Sequence, residues 1–203
     1  HLIEEGRFHD RGEAGPDKGI LLAGDSQMSG FLGDALESVL GVQRTWYRWG
    51  ATGREIAKNI KKHAERATAG AVVNFGDNDW NNPDRNVQAV VSVLRATPAY
   101  QKDPGSIVII GPPPTFEPSE EGKYISLDEE SPYFWEDIWQ GKRDANETIR
   151  SAVESEGMTF INPYRYLSVE EDQPRKTDGV HYRPENANKL VAAISSQLPV
   201  SSA

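Results

Sequence analysis

The sequence predicts a three-layer α/β/α domain built on a five-stranded parallel sheet. Three observations carry that expectation. Short apolar runs ending in Gly or Asn recur along the chain, at 19–24, 71–76, 106–111 and 158–162. Between them lie segments whose apolar residues repeat at helical spacing. Strands and helices alternate in this way along the chain, which implies right-handed crossovers and a parallel sheet covered on both faces.

The first run is Gly19-Ile20-Leu21-Leu22-Ala23-Gly24, read as a buried strand from its length and flanks. Residues 28–40 place Met28, Phe31, Leu32, Ala35, Leu36, Val39 and Leu40 on one helical face, and Gly41 closes that helix. Residues 42–49 read as a second strand and Thr52 to Arg66 as a helix. Ala71 to Gly76 is the third strand, Asn86 to Arg95 the next helix, and Ser106 to Gly111 the fourth strand. Pro112-Pro113-Pro114 ends regular structure there. An acidic and aromatic insertion follows at about 112–139. Asp137 to Glu156 is expected to be helical in its later part, with a fifth strand at 158–162 and a last helix from Pro184. Residues 1–17 read as an arm or linker, leaving 18–200 as one domain with flavodoxin-like strand order.

Composition narrows the function classes. A formal net charge of −9 disfavours a nucleic-acid partner, since phosphate neutralisation needs a basic surface. No apolar run has the length of a membrane span, so membrane insertion is not expected. The absence of cysteine removes thiol nucleophiles and Cys-ligated zinc.

In a parallel sheet, ligands sit beyond the carboxyl ends of the strands. Polar clusters occupy those positions: Gly24-Asp25-Ser26 after strand one, Gly50-Ala51-Thr52-Gly53 after strand two, and Gly76-Asp77-Asn78-Asp79 after strand three. Asp178-Gly179-Val180-His181 precedes the last helix. Each has a plainer explanation alone. Asp25 or Ser26 could cap a helix, Asn78 could serve a turn, and His181 could pack on the surface. Their ordered conjunction favours a site. Asp77-Asn78-Asp79 also opens like a calcium loop, but Asn82 and Gln88 stand where that loop needs Gly and Glu. Met28 occupies the second glycine position of a GxSxG elbow, which argues against an α/β-hydrolase.

Together the four blocks resemble the SGNH (GDSL-like) hydrolase family, over residues 19 to about 198. The GDSxxxG block is Gly24 to Gly30, the second-block glycine maps onto Gly53, the GxND block is Gly76 to Asp79, and the DxxH block is Asp178 to His181. Arg48 and Trp49 depart from the pattern, standing where many members carry Asn. The resemblance implies a serine esterase with Ser26 as nucleophile, His181 as base and Asp178 as its orienting acid. It also implies an oxyanion hole from the Ser26 N–H, the Gly53 N–H and the Asn78 amide. No cofactor or metal is expected.

The expected substrate is a small-molecule or glycan ester carrying a small acyl group, such as acetyl on a carbohydrate. Trp80, Trp135, Trp139 and Tyr182 are candidate substrate contacts, because aromatic rings near a site stack on sugar-like ligands. The alternatives are a thioesterase or lysophospholipase, an O-acyltransferase, and a glycan-binding or structural domain that keeps an idle esterase fold.

Overall fold

A computed structural model describes residues 10–122, 124–174 and 177–199. The central strands are β2 (Ile20–Gly24), β3 (Trp46–Arg48), β4 (Gly70–Asn74), β5 (Ile107–Ile110) and β6 (Thr159–Ile161), preceded by a short β1 (Arg11–Glu13). The sheet runs β1-β3-β2-β4-β5-β6. All neighbours from β3 to β6 pair in parallel. Those five strands therefore stand in the flavodoxin-like order expected from the sequence.

The sixth strand corrects the expectation for the arm. Of the segment 1–17, residues 1–9 lie outside the described residues, but β1 pairs antiparallel with β3, Glu13 opposite Trp46. Its side chains are largely exposed, so nothing in the hydrophobic pattern announced it. Backbone pairing holds it, together with a hydrogen bond from His63 Nε2 to Glu13 Oε1 at 2.7 Å. It leaves the β3 edge covered.

The three central strands β2, β4 and β5 are buried on both faces, and side-chain alternation divides the core in two. Leu21, Ala23, Ala71, Val73, Ile107 and Ile109 face one layer with α3 (Gly53–Lys61), α4 (Pro83–Leu94) and α6 (Trp135–Ser155). Ile20, Leu22, Val72, Val108 and Ile110 face the other, with α2 (Phe31–Leu40) and α8 (Pro184–Ile194). Ile109 is fully buried in the first of these layers; truncation to Ala there would cost about 2–5 kcal/mol.

Helix starts follow local chemistry. Thr52 caps α3 by accepting the Glu55 N–H, and Pro83 and Pro184 open α4 and α8 at the first helical turn. Gly41 closes α2 as expected, its N–H donating to Glu37 O at 2.8 Å.

The helix expected over 28–40 is broken in two, α1 (Ser26–Ser29) and α2, by an extended Gly30 at φ −106°, ψ −141°. Arg44 takes up the carbonyl of Met28 at 2.9 Å where the helix ladder is interrupted. Two short helices, α5 (Pro98–Lys102) and α7 (Val169–Asp172), were not anticipated. The long α6 begins at Trp135 and runs unbroken, so its early part is helical too. No helix among the described residues is long and apolar enough to cross a membrane.

Candidate active site

The site forms where β2, β3 and β4 end. Gly24 closes β2 because nothing larger fits: a Cβ there would lie 1.7 Å from Asn74 Oδ1. Asp25 then caps α1, its Oδ1 accepting the Gln27 N–H at 2.9 Å and the Asn74 amide at 2.7 Å. Ser26 follows as the first residue of α1, so its N–H belongs to the first turn, which has no intrahelical acceptor.

The His181 loop is shaped by its own sequence. Gly179 adopts φ +83°, and a Cβ there would meet Phe116 O at 2.7 Å. Asp178 Oδ1 accepts both the Val180 and His181 N–H groups at 2.9 Å, folding the turn around one carboxylate oxygen. Its other oxygen lies 2.6 Å from His181 Nδ1, and His181 Nε2 lies 3.1 Å from Ser26 Oγ. Three side chains separated by up to 155 residues thus form one hydrogen-bonded line. The insertion braces this loop: Phe116 N donates to Gly179 O at 3.0 Å and Ser119 N to Thr177 O at 2.9 Å.

Charge follows that geometry. Burial would push the Asp178 carboxyl up, but the hydrogen bond and charge of His181 outweigh it and hold it below its ordinary value. Burial would likewise lower His181; the Asp178 hydrogen bond and charge, joined by Asp77 and Asp25, raise it instead. Burial, then the Asp77 charge, pushes Asp25 up to about 7. Burial also raises Asp79, to about 6.

The expected oxyanion donors divide. Asn78 is exposed at the β4 end, and its amide is oriented by donating to Ala51 O at 3.1 Å, one of its two hydrogens. The Gly53 N–H is instead taken by Asp79 Oδ2 at 2.7 Å. Gly53 sits where α3 crosses α4, its Cα facing Asn86, with a Cβ position 2.8 Å from Asn86 Cβ. Its tight fit is explained by helix packing, and its N–H does not face open space in this structure.

The aromatic candidates also separate. Tyr182 is only 2 % exposed and lies in the core, which corrects its assignment to the cleft: its backbone turns inward directly after His181. Trp80 is half-buried against Gly141 of α6. Trp135 lies edge-on to Phe134, with centroids 6.2 Å apart. Trp139 packs edge-on to Tyr164 at 5.4 Å and under the Arg143 guanidinium. The ring beside the histidine is that of Trp49, whose centroid is 5.0 Å from that of His181. Its Nε1 donates to Ser29 Oγ at 2.8 Å, fixing the ring. Trp49 was not among the aromatic rings that the sequence placed at the site. The available signal was its position directly after β3, beside the end of β2.

A second group was also missed. Lys142 and Asp77 form an ion pair of 2.7 Å with both side chains almost fully buried. Asp77 in turn accepts from the Gln27 amide. No cluster of three or more His, Asp or Glu side chains suited to a metal ion occurs among the described residues.

No family model and no curated sequence matches the chain. Solved structures do match. The chain is similar to a carbohydrate acetylesterase family member from Sinorhizobium meliloti, with 17% identity, TM-score 0.60, and coverage of 87% of this chain and 95% of that one. It is similar to a lipase/acylhydrolase from Enterococcus faecalis, with 15% identity, TM-score 0.59, and coverage of 90% and 98%. It is also similar to the M. smegmatis aryl esterase, with 15% identity, TM-score 0.57, and coverage of 88% and 96%. With its flavodoxin-like sheet and the four blocks at one edge, the chain has the fold of the SGNH (GDSL-like) hydrolases.

Proposed function

We propose that this protein is a serine esterase that cleaves carboxylic esters through an acyl-enzyme. The observation that carries the reading is the line Ser26 Oγ, His181 Nε2, His181 Nδ1, Asp178 Oδ2, with links of 3.1 and 2.6 Å. In the first step Ser26 Oγ attacks the ester carbonyl while its proton passes to His181 Nε2. Asp178 holds the imidazole in the tautomer with a proton on Nδ1 and stabilises the imidazolium. The tetrahedral oxyanion is met by the Ser26 N–H and the Asn78 amide, fixed donors that need no reorganisation. Collapse expels the alcohol, which leaves with the proton from Nε2. Water then enters by the same route in reverse and frees the acid.

The substrate we favour is a small acyl group, acetyl foremost, on a carbohydrate. Trp49 beside His181 offers a flat, fixed ring for a sugar face, and the insertion that braces the His181 loop is acidic. A long acyl chain would need an apolar groove to gain its ~0.8 kcal/mol per CH₂. The similar Sinorhizobium protein is itself described as a carbohydrate acetylesterase family member. The test is a series of p-nitrophenyl esters from acetyl to octanoyl beside acetylated glycans. Acetyl should give the highest kcat/KM. Rates that climb steadily to octanoyl would move the assignment to a lipase or thioesterase, and no cleavage of any ester would leave an idle esterase fold.

A further inference from the structure

The residue after the nucleophile holds the histidine loop at two points. Gln27 is 1 % exposed. Its Oε1 accepts the Tyr182 N–H at 2.9 Å and its Nε2 donates to Val180 O at 2.8 Å. These are the groups on either side of His181. The second Nε2 hydrogen goes to Asp77 Oδ2, and Asp77 Oδ1 receives Lys142 Nζ at 2.7 Å. The amide can face only one way, because one end meets two oxygens and the other an N–H. Asp77 comes from the β4 end and Lys142 from the middle of α6.

Burying an ion pair costs more desolvation than its attraction returns unless the remaining hydrogen bonds are made. Here they are made to a side chain whose other hydrogen bonds both go to the His181 loop. A pair serving packing alone would gain nothing from that connection. An apolar replacement of similar size would stabilise the core as well or better.

We infer that Gln27, Asp77 and Lys142 form a positioning relay that sets the His181 imidazole against Ser26. None of the three bonds to the reacting atoms. Lys142 fixes Asp77, Asp77 fixes the Gln27 amide, and the amide fixes the backbone that carries the base. The inference rests on the esterase reading for its kinetic readout, but its structural readout does not.

The test uses Gln27→Met, which keeps length and removes both polar ends, together with Gln27→Glu, Asp77→Asn and the double variant Q27E/D77N. Misplacing a catalytic group by about 1 Å costs on the order of 10²-fold. Gln27→Met should therefore lower kcat for p-nitrophenyl acetate by roughly 10- to 100-fold with KM changed less than about threefold. Gln27→Glu sets a carboxylate against Asp77 and the Val180 carbonyl and should lose more. The double variant restores a donor–acceptor pair between positions 27 and 77 and should regain about tenfold over Gln27→Glu, a non-additivity expected of residues in one network.

Independently of activity, ¹⁵N NMR of the His181 ring in the intact protein should show an altered titration in Gln27→Met, which leaves the charges of Asp178, Asp77 and Asp25 that act on that ring in place. A Gln27→Met variant with near-normal kcat and an unchanged His181 titration would overturn the relay. So would a loss confined to KM, or a double variant no better than the sum of its parts. If wild type cleaves no ester while the His181 titration still responds to Gln27→Met, the esterase reading fails and the relay stands.

Discussion

Asp178→Asn is the sharpest perturbation of the proposed mechanism, because the turn dictates how the new amide must sit. Asp178 Oδ1 already accepts two backbone N–H groups at 2.9 Å, from Val180 and His181. A carboxamide at this position keeps those bonds only with its oxygen in the same place. Turning it round would set an NH₂ against two N–H donors and cost about 1–3 kcal/mol for each unsatisfied group. The new NH₂ is therefore held where Asp178 Oδ2 stood, 2.6 Å from His181 Nδ1. It can only donate, so Nδ1 must accept and the proton moves to Nε2. That proton then points at Ser26 Oγ, 3.1 Å away, and the base is lost.

The expected fall in kcat is about 10³–10⁴, or ~4–5.5 kcal/mol of transition-state stabilisation. The assay is steady-state hydrolysis of p-nitrophenyl acetate, with thermal unfolding run alongside. Because both turn hydrogen bonds survive, Tm should move little. A folded variant retaining more than a tenth of wild-type kcat would refute the tautomer argument.

Asn78→Ala should lower kcat by about 10²–10³ with a smaller change in KM, since an oxyanion donor acts most in the transition state; a pure KM effect would make Asn78 a substrate-binding group only. Trp49→Ala should reduce kcat/KM for acetylated glycans more than for p-nitrophenyl acetate, and equal losses on both would mean that Trp49 acts through His181 rather than on the sugar. Asp25 is raised to about 7 from 3.8, so the stability it contributes is full below pH 3.8 and is lost as pH rises through 7. Asp25→Asn, which keeps an oxygen for the Gln27 and Asn74 donors, should therefore raise Tm at pH 8 and have progressively less effect toward pH 4; calorimetry showing a constant difference across that range would contradict this.

Much of the fold was legible because its signals are local. The runs 19–24, 71–76 and 106–111 are apolar on both faces and bounded by glycine, as central parallel strands require. The Ser26 and Asp178–His181 motifs were legible for the same reason. One is a strand end that becomes a helix start, and the other is a turn whose Asp and His lie three residues apart.

What was missed depends on contacts between distant segments. Lys142 lies in Gly141-Lys142-Arg143-Asp144, which reads as a solvated helix face. Only its meeting with Asp77, 65 residues away, reveals a buried cation. Gln27 faces groups 50 and 153 residues away. The Gly53 N–H was expected to be available, but its competitor Asp79 lies 26 residues on and is brought there by α3 docking against α4. Strand β1 has no apolar signature, since Arg11-Gly12-Glu13 is held to its neighbour mainly through its backbone. The break at Gly30 replaced one predicted helix with two because Arg44, from outside that segment, satisfies the Met28 carbonyl it frees.

The backbone bonds from Phe116 and Ser119 to Gly179 and Thr177 have a bearing on how such an enzyme diversifies. A lineage that exchanges this insertion for another also exchanges the scaffold on which the His181 loop rests. Insertion and loop are then inherited as one module. Grafts that carry 112–126 together with 177–181 should tolerate transplantation, whereas either piece moved alone would meet a foreign partner at the Gly179 carbonyl.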